Sequence, residues 1–289
     1  MLKEITAKTL LSSSKKPDSW FGIQYTMNLY RGCQHQCIYC DTRSACYRVE
    51  NFNHDVLVKV NAIDLLRDEL PRKRVKGTIG TGSMNDPYMP LEATRGLTRQ
   101  ALQVIAEHAF PVHVITKSEL VLRDLDLLKQ IGQVYAAVSF TITTADDGLG
   151  KKLEPGASLV SKRLRAIETL AAHGILTGVT MMPILPFIED SEENIRAIVE
   201  QAHASGARYI LPAFGMTMRE GQREYFYAQL DRLFPGLRAK YEHRFGNRYE
   251  CAANNAKGLA QLFAELCGRY GIATHIPQYN PHVTQPMLL

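Results

Sequence analysis

Between residues 20 and 215 the chain alternates six times between a short strand-like run and a longer amphipathic stretch, and few folds accommodate that rhythm. Residues 21–27, 77–80, 111–116, 134–144, 176–184 and 209–214 read as strands; 111–116 shows β-branched alternation, and 134–144 is rich in Val, Phe, Ile and Thr. Segments 61–70, 93–108, 120–131 and 158–173 read as helices, and in 93–108 Leu97, Ala101, Val104 and Ile105 mark one apolar face. Gly174 ends the last of these, and Asp190-Ser-Glu-Glu193 opens a further helix with acid at its positive end. Strand–helix units in series imply an α/β fold with a parallel sheet and right-handed crossovers. At 289 residues the length suits one large α/β barrel with an extension, or two small domains. In a barrel, chemistry sits at the C-terminal ends of the strands.

The first expected strand runs into Arg31-Gly-Cys-Gln-His-Gln-Cys-Ile-Tyr-Cys40, which spaces Cys33, Cys37 and Cys40 as Cys-x3-Cys-x2-Cys. Three thiolates in one short loop can serve one metal centre, but they fall one short of a closed tetrahedral set. Four-iron clusters normally take four cysteines, so three would leave one iron open for something other than protein. Two alternatives stand beside this. A structural zinc site would add His35 or His54, although only Cys37 and Cys40 form a paired knuckle. A disulfide is the other. Residues 1–20 are polar, lysine-bearing and without the apolar core of a secretory signal, which leads to a cytoplasmic expectation. In that reducing compartment clustered cysteines are more often metal ligands than bridges.

Composition is that of an ordinary globular protein, with 45% hydrophobic and 22% charged residues. No apolar run approaches the roughly 18 residues of a membrane span, so no membrane association is expected. A net charge of +5 permits an anionic partner without demanding one. Basic residues gather at Arg72-Lys-Arg74 with Lys76, and again between Arg219 and Arg248. The second stretch interleaves Tyr225, Phe226, Tyr227, Tyr241, Phe245 and Tyr249, side chains that suit stacking on single-stranded or flipped bases. Glu220, Glu224, Asp231 and Glu242 lie among them, so the same stretch also reads as a solvated helix face.

The cysteine spacing, with Tyr39 before the last cysteine and Asn28-Leu-Tyr-Arg-Gly32 ahead of the first, resembles the signature of the radical S-adenosylmethionine (SAM) superfamily. The resemblance implies a partial (β/α)6 TIM-like barrel over 20–215, preceded by an N-terminal segment, 1–19, and followed by a mainly helical extension, 216–289. It implies a 4Fe-4S cluster on Cys33, Cys37 and Cys40, with SAM chelated to the open iron. Reductive cleavage of SAM then gives a 5′-deoxyadenosyl radical that abstracts hydrogen from a substrate. A one-electron donor such as flavodoxin or ferredoxin is the implied partner.

The 83–92 loop, Ile115-Thr-Lys-Ser118, and the stretch from Ser139-Phe-Thr-Ile-Thr-Thr to Lys152-Leu-Glu-Pro-Gly156 resemble, in order, the spore photoproduct lyase-like branch, related to DNA repair photolyases. Carried over by position, Lys117 and Ser139 bind the SAM carboxylate. Ser83, Asn85 and Asp86 replace the superfamily's usual Gly-Gly-Glu and receive the α-amino group. The Tyr39 backbone and Met182 or Ile184 flank the adenine, and Glu154 orders its loop by pairing with Arg43 or Lys117. Plainer readings of the same residues are a solvated lysine at Lys117, a turn at Asp86-Pro87, β propensity at Ser139, Thr141 and Thr143, and core packing at Met181 and Met182.

The resemblance breaks at the hydrogen donor. Spore photoproduct lyase carries a cysteine in the loop after its second strand, whereas this chain has Ser83 or Met84 there, and a serine O–H bond is too strong for easy hydrogen transfer. The catalytic donor is therefore unassigned, with Cys46 and Cys251 as candidates. Cys267 reads as a small helix hydrophobe, or with Cys251 and His275 as a second metal site. A nucleic-acid substrate leads. The alternatives are a protein or small-molecule substrate for the same chemistry, and a metal-stabilised nucleic-acid-binding module without catalysis.

Overall fold

The strand-like runs of the sequence line up side by side in one sheet. The structure, a computed structural model, describes residues 1–49, 52 and 55–281; His54, one of the two histidines considered for zinc, lies outside them. In chain order the strands are β1 (Leu2–Ile5), β2 (Leu11–Ser13), β3 (Ile23–Met27), β4 (Tyr30–Arg31), β5 (Val56–Lys59), β6 (Thr78–Thr81), β7 (Val112–Thr116), β8 (Ala136–Thr141), β9 (Leu176–Met181), β10 (Tyr209–Pro212), β11 (Gly215–Thr217) and β12 (Glu250–Ala252). The helices are α1 (Ala62–Glu69), α2 (Glu92–Arg95), α3 (Leu97–Glu107), α4 (Leu125–Gly132), α5 (Asp147–Leu153), α6 (Val160–Ala172), α7 (Glu192–Ala204), α8 (Gln222–Leu233), α9 (Leu237–Phe245) and α10 (Ala256–Tyr270).

Seven strands pair in the order β10-β9-β8-β7-β6-β3-β2. The six from β3 to β10 are parallel, and β2 adds antiparallel to the outer edge of β3. Among the described residues no strand pairing joins β10 back to β3, so this is the expected TIM-like α/β barrel left partial. All six residues of β8 and of β9 are buried. Parallel strands covered on both faces read as continuous apolar or small runs, which is why both were legible. Helices α3, α4, α6 and α7 turn apolar stripes onto the sheet; the stripe of α6 is Val160, Ala166, Ile167 and Leu170, interrupted by a buried Arg163.

Several elements differ from the sequence expectation. The 93–108 helix is two, parted at Gly96, whose φ of 62° an L side chain rarely adopts. The 120–131 helix begins as a 3-10 segment, Glu119–Asp124. A further small sheet, β1-β5-β4, gives little pattern to read, since three of the four residues of β1 are exposed. After β10 the chain is helical as expected, apart from the antiparallel pair β11–β12. There Phe226, Tyr227, Tyr241 and Phe245 form an apolar cluster with Ile38, Tyr39 and Leu153. Four of the six aromatics read as stacking platforms are thus core, while Tyr249 is exposed. Cys267 and its α10 neighbours Leu259, Phe263 and Leu266 join the main core.

Inside the barrel, Tyr209 lies so close over β9 that a Cβ on Gly178 would come within 2.4 Å of its ring. A hydrogen-bond chain runs from the Tyr209 hydroxyl to Ser139 (2.6 Å) and on to His113 Nε2 (2.7 Å), all three buried. Burial pushes the His113 imidazole down to about 4 from an ordinary 6.5. Folded His113 is therefore neutral where the unfolded chain takes up a proton, so its contribution is complete above about pH 6.5 and is lost as the pH falls through about 4. Urea unfolding is expected to lose on the order of 3 kcal/mol of stability across that window, a slope that His113→Gln removes.

Candidate active site

The cysteine loop leaves β4 at Arg31 and is held from behind by the segment that ends α5. Ile38 N–H donates to the Leu153 carbonyl (2.9 Å) and Gly156 N–H to the His35 carbonyl (2.9 Å), while His35 Nδ1 lies 2.9 Å from the Gly156 carbonyl. The approach is so close that a Cβ on Gly156 would stand 2.1 Å from the Gln34 carbonyl oxygen, so only glycine fits. Beneath it the Tyr39 hydroxyl donates to Glu154, which pairs with Arg163 at 2.5 Å. Arg163 also donates to the carbonyls of Thr141 (2.8 Å) and Ser158 (2.9 Å), which ties the loop to the end of β8.

Both partners of this ion pair are buried. Burial alone would raise the Glu154 carboxyl, but Arg163, then Lys117 and the Tyr39 hydroxyl, outweigh it and hold it below the ordinary range. The expected partners of Glu154 were Arg43 or Lys117, and its ion-pair partner is instead Arg163. The Arg43 guanidinium lies 3.6 Å from the centre of the Tyr225 ring. The available signal for Arg163 was a charge in register with Val160, Ile167 and Leu170 on an apolar stripe. On the other side Gln222 Nε2 donates to the Tyr39 carbonyl (3.0 Å) and the Thr217 carbonyl (2.9 Å), joining the loop to the helical extension.

Asp86 closes the opposite side. Its carboxylate accepts from Thr116 Oγ1 (2.7 Å), Lys117 N–H (2.7 Å) and Tyr88 N–H (2.8 Å), and faces His35 Nε2 at 3.1 Å. Burial would raise this acid, yet His35, Thr116 and Lys117 bring it down to about 2. With three hydrogen bonds accepted from the chain and His35 facing it, Asp86 is a clamp between loops. Among the described residues the Asn85 side chain makes one hydrogen bond, its amide N–H donating to the Tyr30 carbonyl (2.6 Å). Ser83 is exposed and donates to Asn28 Oδ1 (3.3 Å).

These walls enclose a cavity of about 710 Å³ lined by Cys33, Cys37, Cys40, Tyr39, Ser83, Asn85, Asp86, Lys117, Thr141, Met182 and Cys251 among others. Ser139 does not reach it, because its hydroxyl is committed to His113 and Tyr209. Side chains on a strand repeat every two residues, so Thr141, roughly 7 Å further along β8, arrives in its place. Met181 is core and Met182 lines the cavity, whereas Ile184 is buried and does not. Burial pushes the Cys33 thiol up to about 12 and Cys37 well above the ordinary range, the latter eased by Lys117. Burial would lower the Lys117 ammonium, but Cys37, Glu154 and Asp86 raise it, keeping a cation in the cavity.

Buried thiols of this kind ionise only against a positive partner, which a metal provides. Among the described residues no three His, Cys, Asp or Glu side chains converge on a single-ion site. A four-iron cluster does not require convergence, since each thiolate binds a different iron. His35, moreover, is engaged by Gly156 and Asp86. The residues present fit a cluster with a cofactor that turns a carboxylate toward Lys117.

The sequence profile of the Radical SAM superfamily matches residues 27–203. The chain belongs to the radical SAM superfamily. Members of this superfamily use a 4Fe-4S cluster and SAM. An uncharacterized Mycobacterium tuberculosis protein is 30% identical over 257 residues, covering 86% of this chain and 75% of that protein. An uncharacterized Methanocaldococcus jannaschii protein is 36% identical over 191 residues, 65% of this chain and 70% of that one. A radical SAM Nalpha-GlyT isomerase of Pseudomonas phage M6 is 26% identical over 63% of this chain and 37% of its own. Among solved structures, a spore photoproduct lyase mutant with bound AdoMet and dinucleoside spore photoproduct superposes with a TM-score of 0.71 at 17% identity, covering 94% of this chain and 81% of that one.

In this radical SAM protein the two proposed hydrogen donors separate. Cys251, on β12, is buried and lines the cavity, and burial pushes its thiol up to about 11. Cys46 is exposed, off the cavity, with its Sγ 3.5 Å from Arg219. Cys267 lies in the α10 core and His275 is exposed, so the two do not join Cys251 in a metal site among the described residues. Also among the described residues, no helix is long and apolar enough to cross a membrane.

Removing one partner of the buried ion pair leaves the other unpaired. Arg163→Met is expected to cost about 3–5 kcal/mol in urea unfolding. Adding Glu154→Gln should recover much of that, which a double-mutant cycle reads directly.

Proposed function

We propose that this radical SAM protein is an enzyme that cleaves SAM reductively and abstracts hydrogen from a nucleic-acid substrate. The observation that carries the reading is the sharing of one cavity, at the strand C-terminal ends, by three cysteines and the cationic Lys117. When bound, a 4Fe-4S cluster with SAM on its open iron supplies a 5′-deoxyadenosyl radical once an electron arrives. Cys33, Cys37 and Cys40 hold the cluster. Lys117 meets the SAM carboxylate as a point charge with three donors. Asn85, its amide N–H given to Tyr30, offers its amide oxygen to the α-amino group, with Ser83 beside it. Met182 and the Tyr39 backbone flank the adenine. Cys251, buried on the cavity wall, is the hydrogen donor facing the substrate. Flavodoxin or ferredoxin suits the electron delivery.

The nucleic-acid substrate is supported by the net charge of +5 and by the dinucleoside bound to the structurally similar lyase. The burial of Phe226, Tyr227, Tyr241 and Phe245 favours the second reading, a protein or small-molecule substrate, because it removes most of the expected stacking surface.

Anaerobically reconstituted protein given SAM and dithionite is expected to form 5′-deoxyadenosine. Cys37→Ala should abolish that product, while Cys251→Ala and Cys267→Ala should leave SAM cleavage within about twofold, as neither residue holds the cofactors. Undiminished nucleoside formation by Cys37→Ala would sink the assignment. Zinc in place of iron and sulfide would favour the non-catalytic binding module.

A further inference from the structure

Trp20 is the chain's one tryptophan, stands 52% exposed, and lines the cavity. A single exposed apolar side chain needs no explanation by itself. Here, however, the exposed ring belongs to the wall of the active cavity, and the turn that presents it is built. The Asp18 carboxylate accepts the backbone N–H groups of Trp20 (3.0 Å), Phe21 (2.6 Å) and Ile23 (2.8 Å). Asp18 N–H donates to the Ile23 carbonyl and Gly22 N–H to the Asp18 carbonyl, both at 3.1 Å. Phe21 anchors the turn from inside, its ring centre 6.0 Å from that of His113.

The turn stands on the unclosed side of the sheet, where Ala273 pairs with the outer edge of β10. The parallel run ends at β3 and β10, with no strand pairing between them among the described residues. Trp20 precedes β3, and Phe214, which follows β10, lines the same cavity, as does Met182. Lys15 and Lys16, on the segment that leads to Trp20, are exposed and provide charge for phosphates. An indole on a hydrogen-bonded turn between the cavity and solvent, with lysines four and five residues earlier in the chain, matches a flat heteroaromatic ring carried on a phosphate backbone.

We propose that Trp20 is the stacking platform for a nucleobase of the substrate, which deepens and rests on the nucleic-acid reading above. Because no second tryptophan competes, indole emission reports on this position alone. The test uses reconstituted holoenzyme with SAM, titrated at low salt with fluorescein-labelled single-stranded hexathymidylate. Saturable quenching of indole emission should track the rise in label anisotropy. Trp20→Ala should bind roughly tenfold or more weakly by anisotropy, and Trp20→Phe, which keeps a ring, should lose less. Equal affinity in wild type and Trp20→Ala, or binding without any change in indole emission, would overturn the role of Trp20 and leave the nucleic-acid reading standing. Failure of the oligonucleotide to bind the wild type by either signal would overturn both.

Discussion

Everything at the reactive end of this protein depends on how the cysteine loop is seated on the segment after α5. A loop holds its geometry only when its backbone groups are bound elsewhere, and this one is bound on three sides. Gly156 admits it to within contact of Gln34, the Arg163–Glu154 pair grips Tyr39 from below, and Gln222 holds the Tyr39 carbonyl from the extension. An ion pair buried this deeply is a poor source of net stability but a strong constraint on position, because neither partner tolerates being left alone. Its task here is placement.

The same logic runs around the cavity. Asp86 ties its own turn, through Tyr88 N–H, to β7 through Thr116 and faces the cysteine loop at His35. Lys117 adds a cation to the cavity wall, half-buried and kept charged by the Glu154 and Asp86 carboxylates. Opposite, β11 and β12 bring Met216 and Cys251 to the cavity wall, so the C-terminal extension is part of the site.

Sequence reading recovered what depends on local pattern. Buried parallel strands announce themselves, as β8 and β9 did, and three cysteines within one loop announce a metal. It recovered less where function depends on which residues meet across the fold. Ser139 and Thr141 lie on one face of one strand, and only the height of the cavity above the sheet decides which of them reaches it. Glu154 called for a cation in the sequence, yet the choice among Arg43, Lys117 and Arg163 rests on how α6 packs. Cys46 and Cys251 were equal candidates until the fold put one outside and the other on the wall. The aromatics after Arg219 look the same in sequence whether they stack on a base or on one another.

If Cys33, Cys37 and Cys40 hold a four-iron cluster as proposed, one iron stays open to SAM beside Lys117. Electron paramagnetic resonance of the reconstituted, dithionite-reduced protein tests it most directly, with and without SAM. The expected result is a reduced-cluster signal whose g-values shift when SAM is added, and a weakened shift in Lys117→Ala with the cluster intact. A cluster signal indifferent to saturating SAM would contradict it.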